Sequence, residues 1–283
     1  MMRRFSRLFE DPTPNGLLNS RFLKGSLDIS SRMELSQEEQ EQVLVVLVLV
    51  ARKLASMYQH KAKFQDVLAS LVTRVEARRP PDPPFAEEIE LSQDLFIEFD
   101  EFLVQLKSAL DHVVKVLVPI LGARRWTIRT FAKRGDGVIR ALESASPSEY
   151  RERSFAIIEH LIRPNQEWIQ MSIDARDRLN HFLDGGISWE YFGVCQTAEG
   201  VIQTPKWAAD QTLDQLMEIV WANAFRFCED FVAFSLAMRL PKAFALQRGP
   251  TALERGDPIY SVVFDEGPER ALRAAIEKRR GGK

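Results

Sequence analysis

The string Ile173-Asp174-Ala175-Arg176-Asp177-Arg178-Leu179-Asn180-His181-Phe182 concentrates the side chains best suited to chemistry. Residues 177 and 181 stand four apart, so on a helix they are neighbours. A hydrogen bond from Asp177 to one imidazole nitrogen would fix the tautomer of His181 and raise its pKa towards neutrality. Arg176 and Asn180 form a second four-apart pair beside the first. Arg176 offers a planar fork that matches a phosphate, and Arg178 a further phosphate contact. An imidazole titrating near neutrality beside such a guanidinium can move protons at a phosphodiester. RNA carries its own nucleophile, the 2′-hydroxyl, so this chemistry requires no metal. The roles that follow are His181 as general acid/base, Arg176 as phosphate and transition-state clamp, Asp177 as the orienter of His181, and Asn180 as a polar neighbour of the imidazole. The same residues also read as a surface ion-pair cluster, with His181 at a helix end meeting free carbonyls and the helix dipole.

Little else in the chain offers chemistry. The four histidines are His60, His112, His160 and His181, and none follows a Glu by three, as a four-helix di-metal site would need. Neither a glycine-rich phosphate loop nor a nucleophile elbow occurs, so no metal and no cofactor is expected. His60, His112 and His160 read as structural or surface residues, and Trp168, Trp189, Trp207 and Trp221 as core. Arg153 and His160 give a second, looser Arg–His spacing on what reads as an ordinary amphipathic helix. Residues 123–140 are strongly basic, with Arg124, Arg125, Arg129, Lys133, Arg134 and Arg140 against Asp136 alone. With Trp126 and Phe131 this segment suits an RNA backbone. It is equally suited to pairing with the acidic face at 87–111, which carries Glu87, Glu88, Glu90, Asp94, Glu98, Asp100, Glu101 and Asp111.

These residues sit in a chain of ordinary globular composition. The 283 residues hold 38 basic and 40 acidic side chains, with 45% hydrophobic and 28% charged. That excludes collagen-like and disordered classes, and a net charge of −2 gives no global pull towards nucleic acid or anionic membrane. Cys195 and Cys228 form neither a disulfide framework nor a zinc pattern. The longest apolar run, Val43 to Ala51, falls well short of the roughly 20 residues of a membrane span and predicts a helix buried on all sides. Met1 to Arg7 is basic, with no apolar stretch behind it of the kind a secretory signal requires. The expectation is a cytoplasmic protein without membrane attachment.

The elements that must hold the site are helical. Residues 1–35 mix Gly, Pro, Asn and Ser and read as an arm or poorly ordered leader. Ser36-Gln37-Glu38-Glu39 has capping-box form and predicts a helix or helix pair over 36–79. Pro80-Pro81-Asp82-Pro83-Pro84 is a linker across 80–85. A second long helix is expected over 88–118, with Leu95, Phe99, Phe102, Leu106, Leu110 and Val113 at spacings of three and four. Ser146-Pro147-Ser148-Glu149 predicts another capped helix to about 161. A break at Arg163-Pro164 and a helix to Leu183 follow, ended by Gly185-Gly186. Residues 187–204 switch to a strand pattern around Glu199-Gly200, a small β-hairpin. The last long helix spans 212–240. Beyond it come turns, a short strand at 259–264 and a helix over 268–280. The fold class is all-α.

The motif string resembles the Arg-x4-His signature of the HEPN domain family, α-helical bundles in which the residue after the Arg is usually Asn, Asp or His. Here it is Asp177, and Leu179 and Phe182 also suit the pattern. The resemblance covers roughly residues 86–242. It implies a HEPN-like bundle with extra N-terminal helices, the hairpin insertion and a C-terminal extension over 243–283. It further implies a homodimer whose two motifs face each other in one cleft, and a metal-independent endoribonuclease leaving a 2′,3′-cyclic phosphate. The setting implied is toxin or defence related, with an antitoxin or other partner protein. Leu183 stands where some members carry a Tyr acceptor of nucleotidyl modification, which disfavours that arrangement. The competing expectation is a non-catalytic helical module that binds protein or RNA, with residues 1–79 as the contact region.

Overall fold

Ser36 does what its spacing to Glu39 predicts. Its Oγ accepts the Glu39 N–H at 3.2 Å and its own N–H donates to Glu39 Oε2 at 2.7 Å. From that cap, α2 (Gln37–Glu76) runs 40 residues without interruption in the computed structural model, about 60 Å. The structure describes residues 9–81, 87–181, 192–208, 210–241, 243–249 and 256–264, and not the side chains of Lys133, Asn180 and His181. The predicted ends at Gly185-Gly186, the strand start at 187–191 and the helix over 268–280 lie outside the described residues.

Val43, Leu47, Val50, Leu54, Met57, Phe64, Leu68, Leu71 and Val75 make the buried stripe of α2. It packs against α3 (Gln93–Val113), whose own stripe is Leu95, Phe99, Phe102, Leu106, Leu110 and Val113, and against α8 (Leu213–Ala237). The run Val43 to Ala51 is therefore buried along one stripe and not all round, and Val45 remains 58% exposed. By length and composition α2 is apolar enough to cross a membrane, with 39% of its most apolar window buried. Its buried face is taken up by α3 and α8.

One core cluster runs from Leu17 to Tyr260, so α2 is a central member of the bundle and not an addition beside it. The expected leader is likewise corrected for residues 14–30. A π-turn over Leu17–Leu23 leads into α1 (Lys24–Ser30), and Leu17, Leu18, Phe22, Leu23 and Ile29 are buried. These apolar residues outweigh the Gly, Pro and Ser around them.

The expected helix start at 88 is also corrected. Residues Glu87–Leu91 form a strand, β1, because Ser92 caps α3 by accepting the Leu95 N–H at 3.3 Å. β1 pairs antiparallel with β2 (Gly193–Thr197), and β2 with β3 (Ile202–Gln203). The predicted hairpin is thus present over 193–203, turning at Gly200 (φ +78°), and it has gained a third strand. Gly193 is required there, since a Cβ would stand 2.7 Å from Ile89 Cγ2.

After α3 come α4 (Leu117–Leu121), α5 (Asp136–Ala145) and α6 (Arg151–Ile157). The predicted capping box at Ser146 does not form, because Ser146 Oγ bonds Ser154 Oγ instead. Nor does Arg163-Pro164 break the chain. A π-turn over Ile158–Ile162 carries α6 into α7 (Arg163–His181), and Asn165 Nδ2 donates to the Leu161 carbonyl at 2.8 Å. That widened turn absorbs the N–H that Pro164 lacks. Small antiparallel pairs close the fold. β4 (Lys206–Ala208) meets β5 (Gln211–Thr212), and β6 (Phe244–Arg248) meets β7 (Tyr260–Phe264). β7 is the expected strand at 259–264, whereas β6 stands where the sequence predicts turns.

Candidate functional site

α7 carries the whole Arg176–His181 string in helical backbone, so residues 177 and 181 are one turn apart on one face. Arg176 Nη1 donates to Asp177 Oδ1 at 3.1 Å, with the two side chains 34% and 45% exposed. Asp177 therefore holds Arg176 directly and keeps further acceptor capacity for a neighbour one turn on. Leu179 points inward and is 7% exposed, which fixes the rotation of this turn. The side chains of Asn180 and His181 lie outside the described residues.

The same helix also forms the wall of an open groove of about 480 Å³, lined at 170, 174 and 178 on the stripe that continues to 177 and 181. Arg163, Gln166, Gln170, Asp174 and Arg178 supply the polar stripe, with Met171 and Ala175 at its base. Two other segments complete it, Arg134 from the basic segment and Trp207 from β4. Arg134 and Arg178 come from separate expectations, and the fold brings them to one trough.

The approach of Arg134 is built into the backbone. Arg134 adopts φ +58°, a left-handed conformation that side-chain-bearing residues rarely take. Gln166 Nε2 pins it by donating to the Arg134 carbonyl at 3.0 Å and to Asp136 Oδ1 at 3.1 Å. Gly135 follows at φ +85°, and a Cβ there would fall 2.7 Å from Phe131 Cζ and 2.9 Å from Ile162 Cγ2. No bulkier residue fits the turn.

Other predicted residues fare differently. Arg124, Arg125 and Arg129 are exposed but do not line this groove, and Arg125 lies beside Ser144 to Pro147. Lys133 belongs to the turn that carries Arg134, and its side chain is outside the described residues. Trp126 and Phe131 are fully buried, which corrects their reading as RNA contacts. Trp126 Nε1 donates to the Val114 carbonyl at 3.0 Å, and Phe131 meets Phe227 edge-on at 5.5 Å between centroids. The acidic face spends its charge elsewhere. Glu90 pairs with Arg74 and Arg78, Glu98 with His60, and Asp111 with Lys107. The hydrogen bond from Arg74 holds the Glu90 carboxyl below its usual range.

Arg153 serves as a cap. Its Nη1 lies within hydrogen-bonding reach of the Ala237, Met238 and Leu240 carbonyls, at the C-terminal end of α8. His112 Nδ1 stands 2.7 Å from the Ser108 carbonyl, and Trp221 is core, as expected. Trp207 packs half-buried against the core, in part as expected, and its remaining surface lines the groove. Gln166, Gln170 and Arg163 were missed. Their spacing along one helix face, with Asp174 and Arg178, is a polar stripe legible in the sequence.

No family model, curated protein or solved structure matches this chain. The site is therefore read from its own geometry. It can bind an anion through unpaired guanidinia at Arg134 and Arg178, for which no carboxylate lies within ion-pair distance among the described residues. Beside them it presents an arginine–carboxylate pair, Arg176–Asp177, one turn before His181.

Proposed function

We propose that this protein is a HEPN-like, metal-independent endoribonuclease acting as a homodimer, with α7 as its catalytic helix. The observation that carries the reading is the continuity of α7 through position 181, which sets Arg176, Asp177 and His181 within two turns of each other. In this reading His181 takes the proton from the 2′-hydroxyl and returns one to the leaving 5′-oxygen, the partner motif sharing the two tasks across the composite cleft. Arg176 neutralises the phosphorane oxygens, which carry most of the developing charge. Asp177 orients both neighbours. The products are a 2′,3′-cyclic phosphate and a 5′-hydroxyl, so no outside nucleophile enters the first step. A toxin or defence setting with a restraining partner, in the cytoplasm, belongs to the same proposal. A second reading, a binding module without turnover, is favoured by the Arg176–Asp177 pair itself, since that bond holds the clamp away from a phosphate.

RNA cleavage by the purified protein in EDTA separates the two. Wild type should cut and leave cyclic-phosphate ends. His181→Ala and Arg176→Ala should each lose roughly 100- to 10,000-fold in rate. A folded wild type that cuts none of a varied RNA set supports the binding module. Unchanged cleavage in both variants rejects α7 as the site.

A further inference from the structure

The groove along α7 has no assigned part in the proposed bond-breaking step, yet it is built to hold something. Three arginines, Arg134, Arg163 and Arg178, reach it from two segments. Arg163 is countered by Glu159 at 2.7 Å, while Arg134 and Arg178 have no carboxylate partner among the described residues. Gln170 is engaged with Asp174, which lowers the demand of that carboxylate for a cation. Glu167 is the remaining acid of the lining. The backbone at Arg134 is held left-handed to aim this turn at α7, and strain kept in place by Gln166 and Gly135 marks a position that the surroundings over-determine.

The shape selects the class of ligand. A small molecule asks for a site that encloses most of its surface, and this trough is open along α7. From Arg163 to Arg178 the helix advances about 22 Å, a length suited to several consecutive phosphates. A polyanion therefore fits better than a mononucleotide. Trp207 distinguishes nucleic acid from an acidic peptide, because an indole at the edge of a basic groove gives an unpaired base a stacking surface. A duplex keeps its bases inside and leaves that surface unused.

We infer that this groove is a single-strand RNA subsite, in which Arg134 and Arg178 hold successive phosphates and Trp207 stacks a base flanking the cleavage point. It deepens the ribonuclease proposal by giving that site its substrate form, and it can be tested apart from turnover. The probe is a short fluorescein-labelled oligouridylate, titrated into the full chain carrying His181→Ala, so that binding is read without cleavage. The single strand should bind, and affinity should fall with log[salt] at a slope of about −1.5 to −2 for two to three phosphates. Arg134→Ala and Arg178→Ala should each weaken binding about tenfold and flatten that slope by about 0.7. Trp207→Ala should cost roughly tenfold with no change in slope, and Trp207→Phe should restore most of it, which separates stacking from a packing defect.

Equal binding of a duplex of the same length overturns the single-strand assignment, and equal competition by polyglutamate overturns nucleic acid as the ligand. Affinity and slope unchanged in both arginine variants overturn the groove as the subsite. The two proposals fail differently. Binding that follows the groove variants, with a wild type that never cuts, rejects catalysis and keeps the subsite. Cleavage that is lost in His181→Ala but untouched by Arg134→Ala and Arg178→Ala rejects the subsite and keeps catalysis.

Discussion

Two regions of this molecule are made of the same residue types and behave as opposites. At the junction of the N-terminal segment, α8 and the β6–β7 hairpin, Arg21 is fully buried and grips Glu229 with two hydrogen bonds of 2.8 and 2.7 Å, its guanidinium 5.3 Å from the Phe225 ring centroid. Next to it Asp230 accepts the Tyr260 hydroxyl at 2.6 Å and Arg248 at 3.0 Å. Burial pushes both the Glu229 and the Asp230 carboxyls above their usual range, so the partners that surround them are required. At the α7 groove, Arg134 and Arg178 stand in solvent with no carboxylate at ion-pair distance among the described residues. The first arrangement joins distant parts of the chain. The second leaves positive charge uncompensated at little cost, because water screens it. Position relative to the core, and not residue type, separates the paired structural arginine from the solvent-facing ones here.

The largest effect that would break this comparison lies at the buried pair. Arg21→Ala leaves Glu229 uncompensated and should cost about 3–5 kcal/mol in urea unfolding. The double replacement Arg21→Met with Glu229→Leu should recover most of that loss, since it removes both desolvated charges. A loss below about 1 kcal/mol for Arg21→Ala would mean that water reaches the pair and that the contrast with the groove is false.

Next in size is the turn that presents Arg134. Gly135→Ala combines a left-handed backbone with a Cβ pressed on Phe131 and Ile162, both held by the core. It should cost about 1–3 kcal/mol. Gly137→Ala, two residues on and inside α5, meets nothing within 4 Å and should be neutral or gain up to about 1 kcal/mol. The pair of thermal melts separates a required turn glycine from an incidental helix glycine.

Smaller again, Tyr260→Phe removes one hydrogen bond to Asp230 and should cost about 1 kcal/mol. Arg178→Ala should change stability by less than about 0.5 kcal/mol, whereas on the proposed reading it weakens binding in the groove.

The two regions were also unequally legible. The helices of the core announce themselves through apolar spacing, as at Leu95 to Val113, and Ser36 with Glu39 marked the start of α2 to the residue. Arg21 was hidden because its partner is Glu229, 208 positions away, and nothing local records such a pairing. The strand at Glu87–Leu91 was hidden for the same reason: its register is set by Gly193–Thr197, and its alternation was masked by the acidic run that continues into α3. At the candidate site, the Arg176–His181 string was visible because helical spacing is local. The groove was visible only in halves, Arg178 in the string and Arg134 in the basic segment. Their meeting depends on the π-turn that carries the chain through Pro164 and on the contact of Gln166 with the Arg134 carbonyl. Trp126 and Phe131 were misassigned because composition places an aromatic in a basic segment without saying which way it faces.

The finest test sets stability against binding at one residue. At φ +58° Arg134 carries a conformational cost of about 1 kcal/mol that glycine does not have. Its carbonyl, which Gln166 holds, is backbone and survives any substitution. Arg134→Gly should therefore leave the turn in place and gain up to about 1 kcal/mol in urea unfolding, while removing the guanidinium from the groove. Arg134→Ala removes the same charge but keeps the strain, so it should match Arg134→Gly in binding and fall below it in stability. If Arg134→Gly is less stable than wild type, the arginine side chain supports the fold and belongs with Arg21. If it is more stable, the chain retains a strained arginine where a relaxed glycine would fold better, and the reason for that residue lies in what the groove holds.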